Sequence, residues 1–483
     1  MAKLSKHTFR ISRPFNQNLL CALILFCLPG IYTALTGLGA GGGKPTSLVV
    51  ANQTNAILYG LYALFACLGG SIVNLLRPKL SLIIGAVGYP LYVGSLWYYD
   101  RTGATWFPLF AGAILGVTCG ILWTCVSMVA FSYPQEQHKG LYLSIQWAMR
   151  SLGASVGSAI SFAANFNQKK AVGVTDPVYI TFICIHCLAF VLAGLFALDP
   201  KDVTRDDGTH LAIFKQPTVV SEIKALGRCF RDKRMLLLTP AMIVCEMALG
   251  MTSTINGFYF NLRTRSLANL AFQLVQIISP MVLVAILDTK RIKSRRRRGT
   301  IGAVLMGVVA IGACCGLYGW MYKVDYAGLK TAPGTDWTDS GFGGLFAVYV
   351  LFGWVYAGFQ MSVEWCSSSL SNDPTKSAQS AGYMRGMASL GMCIGFVMAA
   401  QQVPLVGQLS LQFALYIIGL VGMLWVLRFH IKETNYFDED NVIAPQKIAE
   451  QIIDDQGGLS DDQARNIEKT PSKDAGNGLL QAA

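Results

Sequence analysis

The sequence predicts an all-α membrane protein with twelve transmembrane helices in two six-helix halves. Of its 483 residues, 53% are hydrophobic and only 14% are charged, whereas about a quarter are charged in an average soluble domain. Apolar stretches long enough to cross a hydrocarbon core of about 30 Å recur along the chain, and one long polar loop divides them. This pattern excludes a soluble enzyme, a disordered chain, a coiled coil and a globular domain with one membrane anchor.

The twelve predicted spans share a length of about 20 residues or more and a low charge content. Their limits are Asn18 to Leu38, Asn55 to Leu76, Leu80 to Tyr99, Trp106 to Phe131, Leu141 to Ala164, Val178 to Leu198, Leu236 to Phe260, Leu267 to Leu287, Thr300 to Tyr322, Phe342 to Leu370, Ala381 to Val403, and Gly407 to Arg428. We therefore expect an N-terminal segment (1–17), a first bundle (18–198), a central loop (199–235), a second bundle (236–431) and a flexible acidic tail (432–483).

Positive charges gather in loops on one predicted side of the membrane. They include Lys3, Lys6, Arg10 and Arg13, then Arg77 and Lys79, the basic residues of the central loop, and the run from Lys290 to Arg298. Because positive loops resist translocation, we expect this side and both termini to be cytosolic, in the plasma membrane or a vacuolar or endosomal membrane. The net charge of +12 then reflects topology, so membrane lipids and no nucleic acid are the expected partners.

No chemical centre is predicted. The thirteen cysteines lie almost all in apolar stretches, which argues against a disulfide framework. Cys184 and Cys187 have the spacing of a metal site but lie in an apolar span without a second ligand pair. With no nucleophile, base and orienting acid together in a loop, we expect no catalytic residue, metal or cofactor. Asn52 begins a weak glycosylation sequon on the predicted outer side.

Four ionisable residues within the predicted spans are candidate functional groups. A charge at the bilayer centre costs at least about 2.5 kcal/mol on insertion scales. Glu364 and Arg385 lie at similar depth, so we expect them to pair, either as a proton-linked switch or as a permanent structural ion pair. Glu246 is either a neutral buried acid or a proton or cation site. Arg150 meets either an anionic substrate group or the carbonyl groups at a helix end.

Polar and aromatic residues accompany these charges in the fourth, seventh and tenth spans. Trp123, Asn256 and Gln360 are candidates to line a path between the halves, because these spans face the central cavity in transporters of two six-helix halves. The alternative is that each packs or forms a hydrogen bond between helices.

Two short patterns repeat in the two halves. Asn74 and Arg77 follow the second span, and Asp288 and Arg291 follow the eighth with the same spacing. A methionine precedes Arg150 in the fifth span, just as one precedes Arg385 in the eleventh. Recurrence at corresponding spans supports a duplicated architecture.

These residues resemble the Unc-ninety-three-like branch of the major facilitator superfamily, especially its fungal members. The resemblance covers about residues 15–433 and is most specific over Asn256–Leu267, with support from residues 74–78 and 200–209. It implies a twelve-helix facilitator fold. It also implies that Asn74 and Asp288 are remnants of a gate motif in which an acid and a nearby arginine latch the cytosolic side. Asn74 replaces the usual acid, so the latch of the first half is expected to be weak.

Two functions follow as hypotheses. The first is a secondary transporter that moves a small molecule or ion, plausibly exporting an organic metabolite, by alternating access with proton or other gradient coupling. The alternative is a non-transporting adaptor that regulates a channel or the delivery of a membrane-protein partner, because the resembling family includes both kinds of member.

Overall fold

The computed structural model describes residues 10–33, 47–166, 176–213, 217–329, 331–439, 441–446 and 448. Its architecture is all-α, and we number the helices α1 to α13. They are α1 (Pro14–Thr33), α2 (residues 47–76), α3 (residues 78–102), α4 (Trp106–Ser132), α5 (Lys139–Asn165), α6 (Asp176–Phe196), α7 (Val219–Arg231), α8 (Lys233–Tyr259), α9 (Leu262–Leu287), α10 (Arg295–Lys323), α11 (Phe342–Ser368), α12 (Pro374–Ala400) and α13 (Leu405–Phe429).

Ten helical segments of the described chain are long and apolar enough to cross a membrane. One of them, Gln53–Thr102, contains both α2 and α3, because Arg77 interrupts it with φ 65° and ψ 160°. α5 falls outside the ten, although it has 27 residues, because polar and charged side chains such as Gln146 and Arg150 lower its mean hydropathy. With the break and α5 included, twelve helices of membrane-crossing length lie in the described chain, and α7 is an additional amphipathic helix.

Prolines explain the two departures from regular helix. The residue before a proline is disfavoured in the α conformation, and Pro78 supplies a preset φ at the first position of α3. Arg77 accordingly has an extended ψ at the break, while its positive φ is uncommon for a residue other than glycine. In α1, Pro29 lies within a π-helical turn, Phe26–Gly30, where the wider turn accommodates a residue that has no N–H donor.

Each half has its own apolar core. In the first half, Ile24, Tyr92, Leu122 and Val126 belong to one buried cluster. In the second half, a larger cluster includes Leu238, Met242, Leu283, Met306 and Phe359. The larger cluster also includes Phe131 and Trp147 of the first half, so the two cores meet at the boundary between the halves.

The positive loops, the central segment and the C-terminal segment lie at the same end of the bundle, which we call the basic end. The central segment is more than a loop, because it contains the bridge Thr204–His210 and helix α7. The α3–α4, α8–α9 and α10–α11 connections lie at the other end, which we call the opposite end.

The expected flexible tail requires correction in its first part. Tyr436, Val442 and Ala444 are buried, and Val442 forms a bridge with Ala212 of the central segment. The carboxylate of Glu439 accepts hydrogen bonds from the backbone N–H groups of Asn372 and Asp373 at 2.8 and 3.1 Å. Glu439 of the tail thus binds the beginning of α12. Residues 449–483 lie outside the described part.

Candidate functional site

Arg385 is the centre of a buried charged cluster in the middle of the bundle. Its Nη2 lies 2.5 Å from Oε1 of Glu364, and its Nη1 lies 3.8 Å from Oε1 of Glu246. Its Nε donates a hydrogen bond to Oγ of Ser127 at 2.8 Å. The pair of Glu364 and Arg385 expected from the sequence is therefore present, and a second carboxylate joins it.

The two carboxylates of the cluster have further partners from other helices. Gln360 Nε2 donates to Oε1 of Glu246 at 2.8 Å, and Trp147 Nε1 donates to Oε2 of Glu364 at 3.0 Å. All four side chains are buried. Hydrogen bonds to an ionised carboxylate stabilise its charge, so both acids are held by neutral donors as well as by Arg385.

Arg150 has different surroundings from Arg385. Its Nη1 donates to Oε1 of Gln276 at 3.2 Å, and its guanidinium lies 5.1 Å from the ring of Trp147, 5.6 Å from Tyr356 and 5.9 Å from Trp123. Its exposed fraction is 8%, and among the described residues no carboxylate lies within ion-pair distance of it. Aromatic faces and a neutral amide therefore surround this cation.

The cluster crosses the boundary between the halves. Ser127 of α4 and Trp147 of α5 bind Arg385 and Glu364 of the second half, respectively. Trp123 of α4 lies against both arginines, with its ring 4.6 Å from the guanidinium of Arg385. Any rocking of one half against the other must rearrange these hydrogen bonds. Arg150 lies beside this cluster of Arg385, Glu364 and Glu246, and with Arg150 included the two arginines and two glutamates balance in formal charge.

One expected member of the path lies elsewhere. Asn256 is ten residues after Glu246 on α8, about 15 Å along the helix, and its Nδ2 approaches the backbone oxygen of Arg265 and Oη of Tyr349 at 3.4 and 3.5 Å. The other six predicted residues assemble. Trp147, Gln276 and Tyr356 were missed, because a lone polar or aromatic residue in an apolar span is not a specific signal.

The predicted gate motif of the second half contacts the first half directly. Asp288 accepts hydrogen bonds from the backbone N–H groups of Gly140 and Leu141 at 3.0 and 2.6 Å, at the N-terminus of α5. A helix N-terminus favours a negative charge there. Burial nevertheless raises the pKa of Asp288 to about 6. Arg291 is exposed, and its backbone N–H donates to Oγ1 of Thr289.

The corresponding motif of the first half contacts α7 and α12. Asn74 Nδ2 donates to Oε2 of Glu222 at 3.0 Å and to the backbone oxygen of Thr375 at 3.2 Å. Arg77 forms an ion pair of 3.2 Å with Asp199. Asn74 thus links the halves, and a carboxylate from the central segment lies beside it.

The opposite end also holds the halves together. Asn269 Nδ2 donates to Oγ of Ser158 at 3.1 Å, and the rings of Phe162 and Phe166 lie 5.8 and 5.6 Å from that of Trp337. An ion pair of 2.5 Å between Arg263 and Asp336 fixes the loop that carries Trp337. Contacts between the halves therefore occur at both ends of the bundle.

Two remaining predictions concern modification and metal binding. Asn52 lies near the start of α2, where its side chain is outside the described part, and Thr54 of the same sequon is buried. Glycosylation stays a prediction. Among the described residues, no group of three or more His, Cys, Asp or Glu side chains is placed to hold a metal ion.

Comparison with known proteins identifies the family. The family model described as "Ion channel regulatory protein UNC-93" matches residues 52–315 of this chain. The chain belongs to the UNC-93 family. An uncharacterized membrane protein of Schizosaccharomyces pombe is 39% identical, covering 87% of this chain and 85% of the relative. UNC93-like protein 1 of Arabidopsis thaliana is 31% identical over 91% of this chain and 96% of its own length.

The fold is that of the major facilitator superfamily. The crystal structure of the transporter FucP in the outward conformation matches with a TM-score of 0.58, covering 87% of this chain and 100% of that chain at 13% identity. The expected fold class, an all-α membrane protein of the major facilitator type, is thus confirmed, and so is the resemblance to UNC93-like proteins.

Proposed function

We propose that this UNC-93 family protein is a secondary transporter that moves a small solute by alternating access, with protons as the coupling ion. The observation that carries the proposal is the buried cluster of Arg385, Glu364 and Glu246, which is bonded across the boundary between the halves. A structural ion pair alone needs one acid for one arginine, whereas this cluster brings two acids to Arg385 and binds both halves.

Protonation supplies the link between chemistry and movement. A proton on Glu364 removes its attraction for Arg385, which is then left with Glu246 at 3.8 Å. Redistribution of this charge weakens the bonds of Arg385 and Glu364 to Ser127 and Trp147 of the first half. Because a ligand or proton shifts a conformational equilibrium only through differential interactions, these bonds are where the coupling free energy arises.

The solute path follows from the same residues. Trp123, Gln360 and Arg150 surround the cluster and form the proposed solute contacts, while Asn256 belongs to the opposite end of the path. The positive loops favour a cytosolic position for the basic end and both termini, in the plasma membrane or a vacuolar or endosomal membrane. Asp288 and Asn74, with Arg77 and Arg291 nearby, then form the cytosolic gate.

The test is proton-driven flux. Untargeted comparison of metabolites in cells with and without the protein identifies a candidate solute, which is then assayed in proteoliposomes containing full-length protein under an imposed pH gradient. Glu246→Gln and Glu364→Gln are expected to abolish the proton-driven part of this flux, because an amide cannot take up and release the coupling proton. The abundance of both variants is expected to equal that of the wild type.

Asp438→Asn is the control, because Asp438 is an exposed acid at the basic end. Flux equal to wild type in both glutamine variants contradicts the proposal.

A specific surface favours a second candidate, an adaptor that binds a membrane-protein partner. On α7, the side chains of Val219, Val220 and Ile223 are 60, 62 and 64% exposed. Apolar side chains exposed together on a helix are typical of a binding face. The family description also refers to channel regulation. A stoichiometric membrane-protein partner lost in Val220→Ser/Ile223→Ser, together with no flux in proteoliposomes, would favour the adaptor over the transporter.

A further inference from the structure

The first-half gate motif lacks a carboxylate in its own sequence, but a carboxylate is present in space. Glu222 of α7 places Oε2 3.0 Å from Nδ2 of Asn74, and the same oxygen accepts a hydrogen bond from Nε2 of Gln379 at 3.1 Å. Asn74 belongs to the first half and Gln379 to the second. A single carboxylate oxygen from the central segment therefore joins the two halves.

The position of Glu222 is unusual for a glutamate on an amphipathic surface helix. Its side chain is 3% exposed, whereas its neighbours Val220 and Ile223 are among the most exposed apolar residues of the helix. Its backbone oxygen also accepts a hydrogen bond from Oγ of Ser71, at 3.4 Å. Burying a carboxylate is unfavourable unless hydrogen bonds compensate, so the two amide donors are what hold this side chain inside.

The backbone of α7 fixes this orientation. Thr218 and Ser221 form a capping box that starts the helix, so the register of Glu222 is set one residue later. Asp232 follows the last residue of α7 and caps the start of α8, where its side chain accepts a hydrogen bond from the backbone N–H of Arg234. Glu222 is therefore held on a short helix that is directly attached to the second half.

The halves are in backbone contact where Glu222 binds. A Cβ atom added to Gly70 of α2 would lie 2.5 Å from Cα of Gln379, and one added to Gly382 would lie 2.6 Å from the backbone oxygen of Ala66. Such glycines permit close approach of helices and leave no space for a side chain between them. Separation of α2 from α12 must break at least one of the two hydrogen bonds that Glu222 accepts from Asn74 and Gln379.

The other gate site provides the reference. Asp288, at the end of α9, accepts two N–H groups from α5 and thereby binds the second half to the first. At the end of α2, the corresponding residue is Asn74, and its partner oxygen is that of Glu222.

We propose that Glu222 supplies the carboxylate that the first-half gate motif lacks, and that α7 is a latch that must leave α2 and α12 before the basic end opens. The role in gating rests on the alternating access of the proposed function. Glu222 is a positioning residue in this scheme, since it acts on the path through Asn74 and Gln379.

Hydrogen–deuterium exchange of the full-length protein in lipid nanodiscs tests the latch without any solute. Glu222→Ala is expected to accelerate exchange at least about tenfold in three segments, because a hydrogen bond to a charged group contributes about 1.5–3 kcal/mol. The segments are α7, the end of α2 (residues 70–76) and the start of α12 (residues 374–380). Lys224→Ala, an exposed change on the same helix, is the control and is expected to leave all three unchanged.

Swapping the amide and the carboxylate between positions 74 and 222 provides the sharper test. Asn74→Asp places two carboxylates about 3 Å apart and is expected to open the same three segments, because like charges at this distance repel. The double variant Asn74→Asp/Glu222→Gln restores an acid and an amide in swapped positions. We expect its exchange to return to within about threefold of wild type, the strong coupling that contacting residues show in double-mutant cycles.

Three results would overturn the latch. They are wild-type exchange in Glu222→Ala, acceleration confined to α7, and an Asn74→Asp variant that behaves as Lys224→Ala. Failure of the transporter proposal has a separate signature. In an alternating-access protein, opening the basic end slows exchange at the opposite end, around residues 335–341. If the basic end opens without that response and proton-driven flux is absent, the transporter proposal fails. Glu222 would then hold the two halves together in a protein that does not transport.

Discussion

Arg150 and Arg385 occupy corresponding places in the two halves, yet they have opposite surroundings. Each follows a methionine in the fifth membrane helix of its half. Arg385 is bound to two carboxylates, whereas Arg150 is bound to the amide of Gln276 and lies among three aromatic rings. The cation thus recurs in both halves, whereas its partners differ. One arginine is held by charge and the other by aromatic faces, and their substitutions should therefore differ.

The largest expected effect comes from removing the charge-held arginine. Arg385→Gln leaves Glu364 and Glu246 buried without their cation, and loss of one partner of a buried pair typically costs about 3–5 kcal/mol. Thermal unfolding of the purified protein in detergent measures this loss. The double variant Arg385→Gln/Glu364→Gln is the control, and it should be less destabilised than Arg385→Gln because the uncompensated acid is gone. Equal destabilisation of the two would refute a charge-held Arg385.

The aromatic-held arginine should be less sensitive. Arg150→Gln removes one hydrogen bond to a neutral amide and the cation–π contacts, which together contribute about 1–3 kcal/mol. The same unfolding assay applies. A loss as large as that of Arg385→Gln would mean that Arg150 is also held by charge, and the comparison would fail.

Trp147 belongs to both environments, because its indole contacts Arg150 and also Glu364, the partner of Arg385. Its ring lies beside Arg150, while its Nε1 donates to Glu364. Trp147→Phe keeps an aromatic face and removes the donor, so we expect a loss of about 1–2 kcal/mol from the unsatisfied acid. Adding Glu364→Gln should reduce this loss, and fully additive losses in the double-mutant cycle would show that the hydrogen bond contributes nothing.

The smallest expected effect is a pH dependence at the second-half gate. The pKa of Asp288 is raised from its ordinary value of 3.8 to about 6 in the closed contact, so closing binds a proton. The contribution of Asp288 to the stability of the closed contact is therefore complete below about pH 4 and is lost as the pH rises through 6. Exchange at the start of α5, corrected for intrinsic rates, should be slower at pH 5 than at pH 7. Asp288→Asn should abolish this difference, and its persistence in that variant would assign it to another group.

Much of this arrangement was predictable from sequence because burial of charge is costly. Ionisable residues are so rare within the apolar spans that Glu364 and Arg385, at equal depth, had few alternatives to each other. The spans and the division into halves followed from hydropathy and the long central loop. Even α5, which is too polar for a strict apolar criterion, was found by its length and its flanking loops.

Other features depend on contacts that no local pattern encodes. Trp147, Gln276 and Tyr356 join the site only because α5, α9 and α11 meet, and a lone tryptophan or glutamine in a span has many other uses. Glu222 is one of several charged residues in a polar segment, and nothing in its neighbourhood marks it as buried. Glu439 likewise lies in an acidic stretch that is predicted from the sequence to be solvated, although it binds the start of α12.

The central claim is that protonation of the buried cluster moves the halves. Its most direct test is the distance between Lys79 and Arg291, exposed residues of the two halves at the basic end, each replaced by a spin-labelled unnatural amino acid and measured by double electron–electron resonance. We predict that the distance distribution of the wild type shifts between pH 8 and pH 4, which lie on either side of the ordinary glutamate pKa of about 4.3. Glu364→Gln should show the low-pH distribution throughout. Identical, pH-independent distributions in the wild type and in Glu364→Gln would contradict the account.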